Sequence, residues 1–183
     1  QEIAYAKEKG IDFIVCDHHV PDDELPPAVA ILNAKRFDSQ YPFKHLSGCG
    51  VGFKLMQAYA LDNGIPFHEL LPSLDLVAVS TASDIVPIMG ENRVLTHYGL
   101  EQLNSNPCTG LKAIIQVCKL SDKTLTINDI VFKIGPRLNA AGRMSSGKKA
   151  VDLMVEKDFS RALELAENID KENDDRKKDD KEM

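Results

Sequence analysis

The apolar run Ile11–Cys16 (IDFIVC) ends abruptly in Asp17-His18-His19, and this junction constrains the fold more than any other stretch of the chain. Its β-branched and aromatic residues predict a short buried strand. The helical segment Gln1–Lys9 (QEIAYAKEK) before it predicts parallel pairing. In α/β proteins the C-terminal ends of parallel strands form the edge where ligands bind. The strand therefore delivers a carboxylate and two imidazoles to that edge, and such groups resist burial without partners. Adjacent strand residues point to opposite faces, so His18 and His19 do not both reach one metal from a simply extended chain. One of them can ligate a metal while the other faces a substrate phosphate, with Asp17 orienting a ring nitrogen. The competing reading is a solvated polar turn, and the bare triplet by itself favours it. The strand before the triplet and the glycine-rich helix start after it shift the balance toward function.

Beyond the triplet, Pro21, Pro26 and Pro27 keep the chain out of helix, and Ala28–Leu32 (AVAIL) reads as a second strand. Leu46–Gly52 (LSGCGVG) opens a helix predicted over Phe53–Asn63, which Gly64 ends. A mostly apolar helix is predicted over Leu70–Ile85, stopped by Pro87. Asn92–Asn104, Gly110–Val117 and Ile127–Lys133 read as further helices, Gly135–Met144 as an irregular polar segment, and Lys148–Val155 and Ser160–Met183 as helices again. The sum predicts a helix-rich α/β fold with a parallel sheet and too few strands to close that sheet alone.

The length of 183 residues suits one compact domain, or a core with an appended segment. No apolar run reaches membrane-spanning length and no signal-peptide pattern opens the chain. The four cysteines lie far apart without a CxxC pair, which argues for reduced thiols in a cytosolic protein rather than a disulfide framework or a zinc site. A net charge of −6 excludes a generally basic nucleic-acid surface, so any such role rests on a local groove or on cationic parts outside the chain. Gln1 in place of a start methionine, and uncapped helical patterns at both ends, lead to the expectation that the chain is cut from a larger protein.

Three more segments carry candidate chemistry. Within Leu74–Ile88 (LDLVAVSTASDIVPI), Asp75 and Asp84 interrupt a stretch otherwise fit for a core, where a carboxylate is costly unless paired or metal-bound. Nine residues along one helix put these two on opposite faces, so only one faces a shared site. Asp75 is the expected ligand, and Asp84 is expected to cap or turn near Pro87. Gly135–Met144 (GPRLNAAGRM) sets two arginines and an asparagine among small residues, a pattern suited to close approach to phosphate or, equally, to a structural loop paired with acidic groups. The mixed charges of Lys171–Glu182 predict a solvated helix face. His45, His68 and His97 stand alone and receive no role.

Val15 to His19, Leu46 to Gly52, Asp75 to Pro87 and Gly135 to Met144, in that order, resemble the DHH phosphoesterase superfamily. The GPRLNAAGRM segment is similar to the superfamily's single-stranded-DNA exonuclease branch rather than to its oligoribonucleases or inorganic pyrophosphatases. The resemblance implies a two-metal site, usually with Mn2+ (or Mg2+), of which this chain holds only a part. It implies metal ligation by His18 and Asp75, a place for His19 beside the scissile phosphate, and support from Asp17. Arg137, Asn139 and Arg143 would contact the nucleic acid or brace the site. The implied activity is hydrolysis of single-stranded DNA from the 5′ end to mononucleotides, in cytoplasmic DNA repair and recombination, with the isolated chain inactive. The implied organisation is the C-terminal part of the catalytic core over 1–90, its helical remainder over 91–158, and the start of a connector helix over 159–183. A phosphatase or oligonucleotidase of the same superfamily, or a non-catalytic DNA-binding relative, are the rival readings.

Overall fold

Strand β1 (Ile14–Cys16) runs parallel to β2 (Ala30–Leu32), with Ile14 opposite Ala30 and Cys16 opposite Leu32. The computed structural model describes residues 1–144 and 147–182, and the side chains of these apart from 142–144 and 179–182. Both strands are shorter than their apolar runs, although the Val29 N–H to Phe13 carbonyl bond (2.9 Å) and the Asp17 N–H to Leu32 carbonyl bond (3.0 Å) extend the pairing at each end. Helix α1 (Glu2–Glu8) precedes β1 as expected. The expectation of a buried strand does not hold. Phe13 is 41% and Ile14 54% exposed, because among the described residues only β2 flanks β1 in the sheet.

Helix α2 (Gly48–Asp62) begins five residues earlier than predicted. Ser47 is the reason, because its Oγ accepts the Gly50 N–H at 3.2 Å and satisfies one of the free donors of the first turn. The glycine-rich stretch therefore belongs to the helix. After two 3-10 turns, Phe67–Glu69 and Leu71–Ser73, comes α3 (Leu74–Ser83), which is apolar on nearly every side and correspondingly buried. Helix α4 (Gly90–Ser105) packs along α3. Their closest approach is at Gly99, where a Cβ would stand 2.3 Å from the Leu74 carbonyl oxygen.

Helix α5 (Thr109–Val117) is followed by the single turn α6 (Ile127–Asp129), opened by a reciprocal cap between Thr126 and Asp129. A π-helical turn, Ile130–Ile134, leads without a break into α7 (Gly135–Met144). The prediction of an irregular segment over Gly135–Met144 is thus corrected. The chain enters Gly135 already helical (φ −54, ψ −47), and Ala140 and Ala141 are buried. Helix α8 (Lys148–Val155) leads to α9 (Phe159–Glu182), which packs on α5, α7 and α8. Its buried stripe is Ala162, Ala166, Ile169 and Asn173, spaced by four, three and four residues. Leu103, Leu111, Ile114, Ile130, Ile134, Leu153 and Ile169 form the main core. Each such side chain contributes roughly 1.5–3 kcal/mol on burial. The four cysteines are free thiols. Among the described residues no helix is long and apolar enough to cross a membrane.

Candidate functional site

Leaving β1, the chain turns on the Asp17 carboxylate. Its Oδ1 accepts the His18 N–H at 2.7 Å, the His19 N–H at 3.3 Å and the His19 ring Nδ1 at 2.8 Å. Burial pushes the Asp17 carboxyl up, but the hydrogen bonds from the His19 side chain and the backbone outweigh it and hold the group below the usual carboxylate range. Asn33, just beyond β2, donates to the His19 carbonyl at 2.8 Å and ties the turn to the neighbouring strand. The two rings stay in contact, their centroids 4.4 Å apart and their planes tilted by 49°, because the chain turns at Asp17 instead of continuing as an extended strand. The His18 side chain is 16% exposed, whereas that of His19 is 77% exposed.

His18 points inward against the first turn of α2, where a Cβ on Gly48 would lie 3.6 Å from its Cδ2. Its Nε2 is 3.8 Å from Asp84 Oδ2, and its Nδ1 is buried with no hydrogen-bond partner. Asp84 caps the C-terminal end of α3 and accepts from Ser80 Oγ at 3.2 Å. Ser47, which caps α2, and Thr81, one turn from the end of α3, share a buried hydrogen bond of 3.2 Å that holds the two helices together behind this pair. Immediately after Asp84, Ile85 adopts φ 54, the left-handed region that a β-branched residue rarely enters.

Asp75 does not join this group, contrary to the sequence-based expectation. It is fully buried at the start of α3, about 13 Å of helix rise from Asp84. Its Oδ2 accepts the Cys108 N–H at 2.7 Å and its Oδ1 the Leu76 N–H at 2.6 Å, so the carboxylate anchors the start of α5 rather than facing a site. Burial raises its carboxyl above the usual range, against the pull of these two donors. Asp84 is the carboxylate that sequence reasoning set aside. The signal for it was present: only one of the two aspartates faces a shared site, and Asp84 stands where the helix ends and a side chain reaches open space.

The Gly135–Met144 segment divides similarly. Arg137 Nε donates to Asp170 Oδ1 at 2.6 Å and its Nη1 to the Lys133 carbonyl at 2.8 Å, bracing α7 against α9. Asn139 is exposed. The Arg143 side chain lies outside the described residues. Among the described residues no group of three or more histidine, cysteine, aspartate or glutamate side chains is arranged to hold a metal ion. His18 and Asp84 make a pair of donors.

Residues 1–81 match the DHH family, N-terminal domain. Over nearly its whole length the chain is also similar to the single-stranded-DNA-specific exonuclease RecJ. It is 40% identical to RecJ of Haemophilus influenzae, covering 96% of this chain and 32% of that protein. It is 42% identical to RecJ of Bacillus subtilis, covering 97% of this chain and 22% of that protein. The chain thus spans about a third, or less, of the length of these relatives. The fold agrees with a crystal structure of exonuclease RecJ bound to manganese (TM-score 0.82, 30% identity, 97% of this chain and 44% of that one). It agrees equally with RecJ of Thermus thermophilus in complex with Mn2+ (TM-score 0.81, 30% identity, 97% of this chain and 26% of that one).

Proposed function

We propose that this chain forms part of the catalytic core of a divalent-metal-dependent exonuclease that hydrolyses single-stranded DNA from its 5′ end to mononucleotides. The observation that carries this reading is the 3.8 Å approach of His18 Nε2 to Asp84 Oδ2 at the end of a parallel strand. The similarity to RecJ throughout the chain and the metals bound in RecJ structures support it.

In this reading His18 and Asp84, rather than His18 and Asp75, hold Mn2+ or Mg2+. The donors suit such an ion. The carboxylate is a hard oxygen ligand, and the His18 ring, whose Nδ1 is buried without a hydrogen-bond partner, presents Nε2 on the side of Asp84. A cation held there supplies positive charge against the phosphodiester as negative charge builds in the transition state. Asp17 fixes His19 through Nδ1, so that Nε2 of this exposed ring faces outward to a phosphate oxygen. Asn139 and Arg143 contact the nucleic acid, and Arg137 braces α7 against α9 while presenting its remaining N–H groups. Residues 1–90 serve as part of the catalytic core, 91–158 as its helical remainder and 159–183 as the start of a connector. The setting is DNA repair and recombination in the cytoplasm.

Calorimetric titration with Mn2+ tests the ligand pair. His18→Ala and Asp84→Asn are expected to abolish most of the binding heat without lowering the melting temperature, and unchanged affinity in both would overturn the pair. Digestion of end-labelled single strands tests the reaction. Release of 5′ mononucleotides supports it, while 3′ polarity or equal digestion of duplex refutes it.

A further inference from the structure

Ser83 and Ile85 flank Asp84 in the chain, and both line a cleft of about 210 Å³ whose other walls include Val131, Pro136 and Asn139 on the side of the π-helical turn and α7, and Arg176 from α9. Ile85 is the informative member. It follows the C-cap of α3 in left-handed backbone (φ 54), the position at which helices usually place glycine. A β-branched residue is strained there, yet Ile85 is 81% exposed and gains nothing from the core. Neither backbone preference nor burial accounts for isoleucine at this point. Strain of this kind gathers at ligand sites, where a contact outside the chain explains the residue. Ser83 Oγ adds a buried hydroxyl with no partner beside the same cleft.

We propose that this cleft is a nucleobase subsite, and that it takes the base of a nucleotide adjoining the phosphate held at His18 and Asp84. The proposal rests on the reading of the chain as a handler of single-stranded DNA. Its walls match a base: apolar surface from Ile85, Val131 and Pro136 for the ring face, and the exposed Asn139 amide with the Arg176 side chain for a polar edge. The volume is below the roughly 300–1,000 Å³ typical of sites for drug-sized molecules, which suits a single base rather than a whole nucleotide. Packing on a ring face does not distinguish the four bases, so that part of the contact tolerates any sequence.

The test compares binding of a thymidylate hexamer and an abasic hexamer of the same backbone, by fluorescence anisotropy, in the wild-type chain and in Ile85→Gly. The expected result is about tenfold weaker binding of the base-bearing strand by Ile85→Gly, unchanged binding of the abasic strand, and no loss of melting temperature. Equal weakening on both strands, or none on either, overturns the subsite and leaves the exonuclease reading standing. Failure of the wild-type chain to bind either strand sinks that reading and the subsite with it. Asn139→Ala, on an exposed helix surface, gives the same comparison should Ile85→Gly fail to fold, and must show the same dependence on the base.

Discussion

At its N-terminal end α3 carries Asp75 into the core, and at its C-terminal end it carries Asp84 out to His18. The two carboxylates share a helix and a similar local sequence, but their surroundings oppose each other. Asp75 meets two backbone N–H donors and no cation, which gives it a structural anchor's environment. Asp84 has a single hydroxyl donor, a side chain 34% exposed, an imidazole at 3.8 Å and a strained turn behind it. A buried acid is therefore not by itself a sign of a metal site. What separates the two is whether the backbone has already satisfied the oxygens.

The sharpest way to break this contrast is to remove each carboxylate and measure both metal affinity and stability. Asp84→Asn is expected to weaken Mn2+ binding by more than about a hundredfold, beyond the losses typical of outer-sphere partners, with little change in melting temperature. A comparable loss of affinity in an Asp75 variant would erase the distinction. Asp75→Ala leaves two buried N–H groups without an acceptor, and should cost about 3 kcal/mol, or roughly 6–12 °C by calorimetry, with Mn2+ affinity unchanged. Gly135→Ala lies between these cases. A Cβ there would meet Ser83 Oγ at 2.8 Å, next in the chain to Asp84. It should lower stability by about 1–2 kcal/mol and Mn2+ affinity severalfold, because it displaces the end of α3. An Mn2+ affinity equal to wild type would show that the α3–α7 contact does not position Asp84.

The smallest expected effects are in pH dependence, where the structural acid and the turn acid run in opposite directions. Burial raises the folded-state pKa of Asp75 above its ordinary value of 3.8, so its ionised form penalises the folded state at neutral pH. Relative to Asp75→Asn, the wild type should gain stability as pH falls through that raised value toward about 4. Asp17 has a lowered pKa. Its contribution is complete above 3.8 and is lost as pH falls through the lower folded-state value. Melting temperatures of wild type, Asp75→Asn and Asp17→Asn across this range give the two signs. The same sign for both acids would contradict the assigned surroundings.

Much of the fold was legible in the chain. The order of elements and their helical or extended character follow from apolar periodicity, prolines and glycines. The main misreading, Gly135–Met144 as irregular, arose because a proline and polar residues hide a helix that simply continues the π-helical turn before it. The site was legible in part. The Asp17-His18-His19 turn at a strand end was visible from the sequence, as was the rule that only one of Asp75 and Asp84 faces it.

The sequence by itself determined the local chemistry: a strand that ends in a carboxylate and two imidazoles, a serine-capped glycine-rich helix, and a buried helix bearing two acids on opposite faces. Only the tertiary structure decided which acid lies beside His18. That choice depends on contacts distant in sequence, the Cys108 N–H taken by Asp75 and the His18 ring facing Asp84. Local periodicity fixes the face on which a side chain lies. It does not fix which distant backbone donor or ring packs against that face, because the folding of the intervening helices brings those partners into place.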